Sequence, residues 1–224
     1  MTGKLFIVST PIGNLKDISL RAIETLTEVD LILSEDTRHT GMLLKHLEIQ
    51  KPQLSYFEYN EEKRIPEVIR KLKSGLNIAL VSDAGTPLIS DPGFKLVREV
   101  LKMGLKVESI PGASAILTAL TSSGLPTDKF LFLGYLPKKG GKKEKLLKNL
   151  EENLKKIKST VVIYEAPHRL VETLESIQKV FGVIEIVIAS ELTKIHEEVK
   201  KDKITGFLEK YSVAVPRGEY VILI

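Results

Sequence analysis

The sequence predicts an α/β protein built from two α/β domains, residues 1–121 and 122–224. Three observations carry that prediction. Short apolar runs alternate with stretches whose apolar residues recur at helical spacing, the pattern of βα units. The runs are nearly continuous rather than alternating, as in strands buried on both faces of a largely parallel sheet. Each run also stops abruptly in Ser, Thr, Asp, Gly and Pro, which favour turns.

In order, Leu5–Val8 reads as the first strand, followed by the turn-rich loop Ser9–Asn14. Ser19 to Val29 is a helix with Leu20, Ile23 and Leu26 on one face. Leu31–Leu33 is a strand that runs into Ser34–Thr40, a loop dense in charged and titratable side chains, and Thr40–Leu47 is a short helix. Gln53–Glu58 is expected to be a strand and Glu61–Ser74 a helix closed by Gly75. Ile78–Val81 is a buried strand, and 82–93 is a long polar loop of small residues, where a ligand can approach the backbone closely. Asp91 stands where an N-cap belongs and Pro92 where the first helical residue belongs, ahead of the helix Gly93–Met103. Lys106–Ile110 is a strand, Pro111–Ala115 a small-residue loop, and Ile116–Leu120 part of an apolar helix.

Ser122–Thr127 is the expected boundary between the domains. Phe130–Leu133 is then a strand ending at Gly134, and Leu136–Lys143 a mobile basic loop. The next helix turns Leu146, Leu147, Leu150, Leu154 and Ile157 inward. Val161–Tyr164 is a strand ending in Glu165–Arg169, residues 167–180 are a helix, and Ile186–Ile188 is a strand ending in Ser190–Lys194. Glu219–Ile224 is a final strand.

Composition narrows the function. The 224 residues are 43% hydrophobic, enough for a packed core, and contain no cysteine, which excludes disulfides and Cys-based zinc sites. No apolar run reaches the roughly 18 residues of a membrane span, and the first residues enter a strand with no signal-peptide pattern, so a cytoplasmic protein is expected. Net charge is +4. Between Lys138 and Lys158 lie nine lysines and three glutamates, which leaves the rest of the chain near −2. A basic segment of this kind suits a nucleic-acid backbone, and a solvated helix face explains the charge equally well. The dinucleotide fingerprint and the P-loop motif are both absent. The four histidines have no metal-ligand spacing, and no metal is expected.

Seven segments carry a resemblance: Leu5–Ile18, Glu35–Thr40, Val81–Gly93, Ile110–Ala115, Ser123–Thr127, Tyr164–Leu170 and Glu191–Lys194. Together they resemble the ribosomal small-subunit RNA (cytidine-2′-O)-methyltransferase I family, within the tetrapyrrole methylase fold of class III S-adenosylmethionine enzymes. Many members of that family carry a further C-terminal region, and this sequence ends at Ile224. The resemblance implies two α/β domains of the tetrapyrrole methylase type with the cofactor cleft between them, usually in a homodimer. It implies S-adenosylmethionine bound by Pro11, Asp83, Ala84, Gly85, Ile89, Ser90, Ser114 and Ala115, by backbone around Leu133 and Gly134, and by Ala214 and Pro216 on the adenine side.

The implied reaction is attack of a ribose 2′-hydroxyl on the sulfonium methyl, with small-subunit ribosomal RNA as the partner. Candidates for a general base are Asp17, Glu35, Asp36, His39, Glu165, His168 and Lys194. Arg38 and Arg169 would grip phosphate or polarise the ribose, and Glu165 or Asp36 would orient the hydroxyl. A local ion pair capping a helix is the competing reading of Glu165 and Arg169. Lys138, Lys139, Lys142, Lys143 and Lys145 would hold the RNA backbone. With 6% aromatic residues and no tryptophan, extensive base stacking is not expected as the main grip. The competing functions are a tetrapyrrole-precursor C-methyltransferase and a non-catalytic RNA-binding ribosome factor.

Overall fold

The computed structural model describes residues 2–224, which divide into two compact units on either side of the Ser114–Ala115 bond. The division falls ahead of helix α5 (Ala115–Ser122), which the sequence grouped with the first half and which instead packs on a strand of the second unit.

The first unit holds five strands: β1 (Lys4–Val8), β2 (Leu31–Ser34), β3 (Gln53–Ser55), β4 (Ile78–Val81) and β5 (Lys106–Ile110). Their order is β3-β2-β4-β1-β5, and every pairing is parallel. Strands β2 and β4 are buried at every position, and their sequences are apolar except for Ser34, whose hydroxyl donates to Gln53 Oε1 at 2.9 Å. Two clusters sandwich the sheet. One is built on Leu5, Leu33, Leu80, Leu96 and Val100, the other on Val8, Leu26, Ile32, Ala79 and Ile110. Helices α1 (Leu20–Glu28), α2 (Thr37–His46), α3 (Glu61–Lys73) and α4 (Phe94–Lys102) connect the strands.

Three boundaries in this unit differ from expectation. Helix α2 starts at Thr37, three residues early, because the Asp36 carboxylate accepts the Arg38 amide hydrogen and so caps it. Strand β3 stops at Ser55, since the next residues turn into α3. Helix α4 starts at Phe94, and its N-cap is Gly93 at φ +131° rather than Asp91.

The second unit carries β6 (Phe130–Tyr135), β7 (Thr160–Glu165), β8 (Glu185–Ser190), β9 (Glu198–Lys203) and β10 (Tyr220–Leu223), in the order β6-β7-β10-β8-β9. Strand β6 is parallel to β7, while β10 is antiparallel to both β7 and β8. Strands β6, β7 and β8 therefore share one direction. Their core cluster is built on Leu147, Ile163, Leu174, Ile188, Phe207 and Ile222.

Helix α6 (Gly140–Leu154) begins inside the stretch expected to be a mobile basic loop. Leu147 and Leu150 are buried on it, but Ile157 lies beyond its end and is exposed. Helix α7 (Leu170–Phe181) follows a 3-10 turn at Pro167–Arg169. Strand β9 and helix α8 (Ile204–Val213) were not predicted from the sequence.

Candidate active site

In a parallel sheet the loops after the strands emerge along one edge. In the first unit they are knitted together there. Thr10 and Gly85 exchange two backbone hydrogen bonds of 2.9 and 3.0 Å, which joins the loops after β1 and β4. The Ser9 hydroxyl donates to Thr86 Oγ1 at 3.1 Å, and the Thr86 hydroxyl donates to the Ala113 carbonyl at 3.2 Å. Gly112 lies so close to Ser9 that an added Cβ would sit 2.9 Å from the Ser9 Cβ. The Asp36 amide donates to Asp83 Oδ1 at 3.1 Å and ties in the loop after β2.

Pro11, Asp83, Ala84, Gly85, Ile89, Ser90 and Ser114 all lie on this edge. The 82–93 loop is held in an uncommon shape: Gly85, Leu88, Ser90 and Gly93 all have positive φ, from +68° to +131°. For Leu88 and Ser90 that conformation costs on the order of 1–3 kcal/mol each. Leu88 recovers some of it by packing on the core. The far end of the loop is anchored by Glu61, a buried carboxylate that accepts from the Gly93 amide at 3.0 Å and from the Tyr56 hydroxyl at 2.9 Å. In the sequence Glu61 looked like a helix start and nothing more.

Glu35, Asp83 and Asp91 bring three carboxylates to this edge. Burial, then the Asp83 carboxylate, raises Glu35 above the ordinary range, against a hydrogen bond from the Asp83 amide. Burial, then Glu35, pushes Asp91 up to about 6, against the Ser82 hydroxyl. Asp91 thus has an electrostatic part, not the capping part expected of it. Asp36 behaves oppositely. The Arg38 guanidinium donates to both of its oxygens, at 3.1 and 2.7 Å, and these bonds hold it well below the usual carboxylate range. The Arg38 side chain is otherwise almost fully exposed, and His39 and Asp17 are exposed.

In the second unit the ends of β7, β8 and β10 lie in one row, with Tyr220 facing Glu165 on one side and Ser190 on the other. Glu165 is buried, and its Oε2 accepts from the Thr173 hydroxyl at 2.5 Å. Its Oε1 accepts from the Ala166 amide at 2.9 Å and faces Arg169 Nε at 3.4 Å. Arg169 also donates to the Leu136 carbonyl at 2.6 Å. Glu165 and Arg169 are thus a built pair, while His168 beside them is exposed. Leu133 and Gly134 form an irregularity in β6, and Ala214 and Pro216 lie in the segment leading into β10. Ala115 is the first residue of α5.

Two expectations need correcting here. Lys143 does not face RNA: it is 1% exposed, and its Nζ binds Glu172 Oε1 at 2.9 Å and Thr173 Oγ1 at 3.4 Å. The helix turn that starts at Gly140 rotates it into the core, whereas Lys138, Lys139, Lys142 and Lys145 remain exposed. Lys194 is not arranged as a base. Burial favours its neutral form, but hydrogen bonds to Glu219 and Glu191, both 3.0 Å, outweigh that and raise its pKa. Among the described residues no group of three or more His, Cys, Asp or Glu is arranged to hold a metal, and no helix is long and apolar enough to cross a membrane.

Comparison with known proteins places this geometry in context. Residues 4–207 match the family model described as Tetrapyrrole (Corrin/Porphyrin) Methylases. A protein of Thermotoga maritima named ribosomal RNA small subunit methyltransferase I is 46% identical over 222 residues, covering 99% of this chain and 98% of its own. One of the same name from Synechocystis is 46% identical, over 99% of this chain and 78% of its own. Among solved structures, uroporphyrin III C-methyl transferase from Thermus thermophilus complexed with S-adenyl homocysteine matches with TM-score 0.66 at 18% identity, over 99% and 97% of the two chains. Diphthine synthase matches with TM-score 0.72 at 16% identity, over 99% and 89%. At those identities the structural matches establish the fold.

Proposed function

Because the chain belongs to the tetrapyrrole methylase family, and within it to the ribosomal RNA small subunit methyltransferase I group, we propose that it methylates the ribose 2′-hydroxyl of a cytidine. It is an S-adenosylmethionine-dependent methyltransferase of small-subunit ribosomal RNA. The observation that carries the finer reading is the Glu165–Arg169 pair, a buried carboxylate that orients a guanidinium at a strand end.

The residues present fit the cofactor. The small, strained 82–93 loop exposes backbone and the side chain of Ile89, Asp83 offers a carboxylate, and Val213 and Val215 are exposed apolar side chains next to Ala214 and Pro216. When bound, S-adenosylmethionine supplies an electrophilic methyl on sulfur. Asp83 attracts the positive charge of such a ligand, and Pro11, Ala84, Gly85, Ile89, Ser90 and Ser114 offer it small side chains and backbone on the first unit. On the second unit, the cofactor-binding residues that the resemblance implies are Ala115, Leu133, Gly134, Ala214 and Pro216.

Arg169 and Arg38 hold the phosphate or ribose, and Glu165 keeps Arg169 in place. Asp36 holds Arg38 in the same way, and His39 lies one residue further along α2. Lys194 serves as a fixed positive charge. Positioning of this kind contributes on the order of 7–11 kcal/mol to a barrier. Lys138, Lys139, Lys142 and Lys145 meet RNA phosphates.

A cytoplasmic homodimer is part of the proposal. It is supported by the family resemblance and by the exposed Phe130 and Leu131 on the edge strand β6. The test is transfer of labelled methyl from S-adenosylmethionine to small ribosomal subunits, with nucleosides analysed after digestion. 2′-O-methylcytidine supports the reading. Label in uroporphyrinogen instead, or unchanged transfer by Arg38→Ala and Arg169→Ala, refutes it.

A further inference from the structure

We propose that the ring of Tyr135 is a stacking platform for a base of the RNA strand being methylated, an inference that rests on the ribosomal RNA reading above. The composition argued against stacking as the main grip, but one well-placed ring needs no aromatic abundance.

The geometry starts from the edge strand β6. Its register with β7 shifts between Phe132 and Gly134, so that Leu133 is an extra residue, and Gly134 takes φ +63°. In a regular strand, residues three apart face opposite sides. The extra residue cancels that, and both Phe132 and Tyr135 reach the same ring, Tyr164. The centroid distances are 4.9 Å for Phe132–Tyr164 and 5.9 Å for Tyr135–Tyr164, both edge-to-face. The inner rings are half-buried, and Tyr135, the outer one, is 54% exposed. More than half of its surface thus faces solvent while its ring contacts that of Tyr164.

The surroundings supply the other half of the chemistry. Residues 135–143 contain four lysines and no carboxylate. Lys138, Lys139 and Lys142 are exposed, and Lys139 and Lys142 sit at the N-terminus of α6, whose dipole adds positive potential. Arg169 is fastened to the Leu136 carbonyl, one residue from Tyr135. An aromatic face rimmed by cations suits single-stranded nucleic acid, in which bases stack while phosphates pair with the charges. The same segment sits at the carboxyl end of β6, next to the end of β7 that carries Glu165.

The test is steady-state methyl transfer to small ribosomal subunits by Tyr135→Leu, Tyr135→Phe and Tyr135→Trp, with calorimetric binding of S-adenosylmethionine to each. Loss of one stacked base predicts that Tyr135→Leu lowers kcat/KM by about 5- to 150-fold, mainly through KM. Tyr135→Phe and Tyr135→Trp should stay within about threefold of wild type, and cofactor affinity should be unchanged in all three. The two ring-preserving variants keep the test decisive if Tyr135→Leu folds poorly. Tyr135→Leu with wild-type kcat/KM overturns the inference, and so does Tyr135→Phe falling as far as Tyr135→Leu, because the hydroxyl would then be what matters. Loss of cofactor affinity in Tyr135→Leu also overturns it, by assigning the ring to the cofactor. No transfer by the wild-type enzyme refutes the ribosomal RNA reading itself, and the stacking role with it.

Discussion

Replacing Gly93 by alanine tests how tightly the 82–93 loop is built. At φ +131° an L-residue is strained by on the order of 1–3 kcal/mol. The new Cβ would also lie 2.7 Å from Leu80 Cδ2 and 3.0 Å from Leu88 Cδ1, inside the core. Such overpacking costs a further ~1–3 kcal/mol, while reduced freedom of the unfolded chain returns about 0.4–1 kcal/mol. The net loss is thus about 1–6 kcal/mol. Gly104 provides the control in the same unit. It also has positive φ, +69°, but an added Cβ meets nothing within 4 Å, so Gly104→Ala carries the strain alone, about 1 kcal/mol net. In urea unfolding followed by circular dichroism, with a slope near ~2 kcal/mol/M, the Gly93→Ala midpoint should fall below that of Gly104→Ala by about 0.5–2 M. The displaced backbone also breaks the 3.0 Å bond from Gly93 to Glu61, so S-adenosylmethionine affinity should drop in Gly93→Ala and hold in Gly104→Ala. Equal midpoints for the two variants would refute the crowding argument.

Three further outcomes follow from the site. Asp91 binds its proton more tightly folded than unfolded, so its stabilising contribution is full below about pH 4 and is lost as pH rises through about 6. The melting temperature of Asp91→Asn should therefore gain on wild type between pH 4 and pH 7, and a constant difference would contradict the burial of that carboxyl. In salt titrations of RNA binding, Lys138→Ala, Lys139→Ala and Lys142→Ala should each flatten the log–log slope by about 1. Lys143→Met should leave that slope unchanged and lower thermal stability, because its ammonium is spent on Glu172 and Thr173. Glu165→Gln removes an acceptor of the Thr173 hydroxyl and the charge that fixes Arg169, so kcat should fall by about 10²-fold with cofactor affinity intact; calorimetry and single-turnover kinetics together check this.

Much of the fold was legible because burial on both faces writes itself as continuous apolar runs, as in β2 and β4. Strand β9 escaped notice for the opposite reason. Its sequence, Glu198 to Lys203, is charged at five of its six positions, and it is held by backbone pairing to β8 rather than by an apolar face. Its register could not be inferred without the neighbour. The strand-end loops were visible as turn chemistry, but their internal wiring was not. Asp91 and Gly93 are both acceptable N-caps locally, and the choice was made by Glu61, 32 residues away, taking the Gly93 amide. Lys143 has the same sequence surroundings as Lys142, and only the phase of helix α6 separates a buried ion pair from a solvent charge. The Tyr135 platform depends on one extra residue in β6, which no propensity signals.

The placement of β10 has a consequence for biogenesis. It fills the middle of its sheet, between β7 and β8, yet it follows both of them in translation. Until residues 220–223 are made, the facing edges of β7 and β8 carry unpaired backbone N–H and C=O groups. The sheet of the second unit can therefore close only after the last strand has been synthesised.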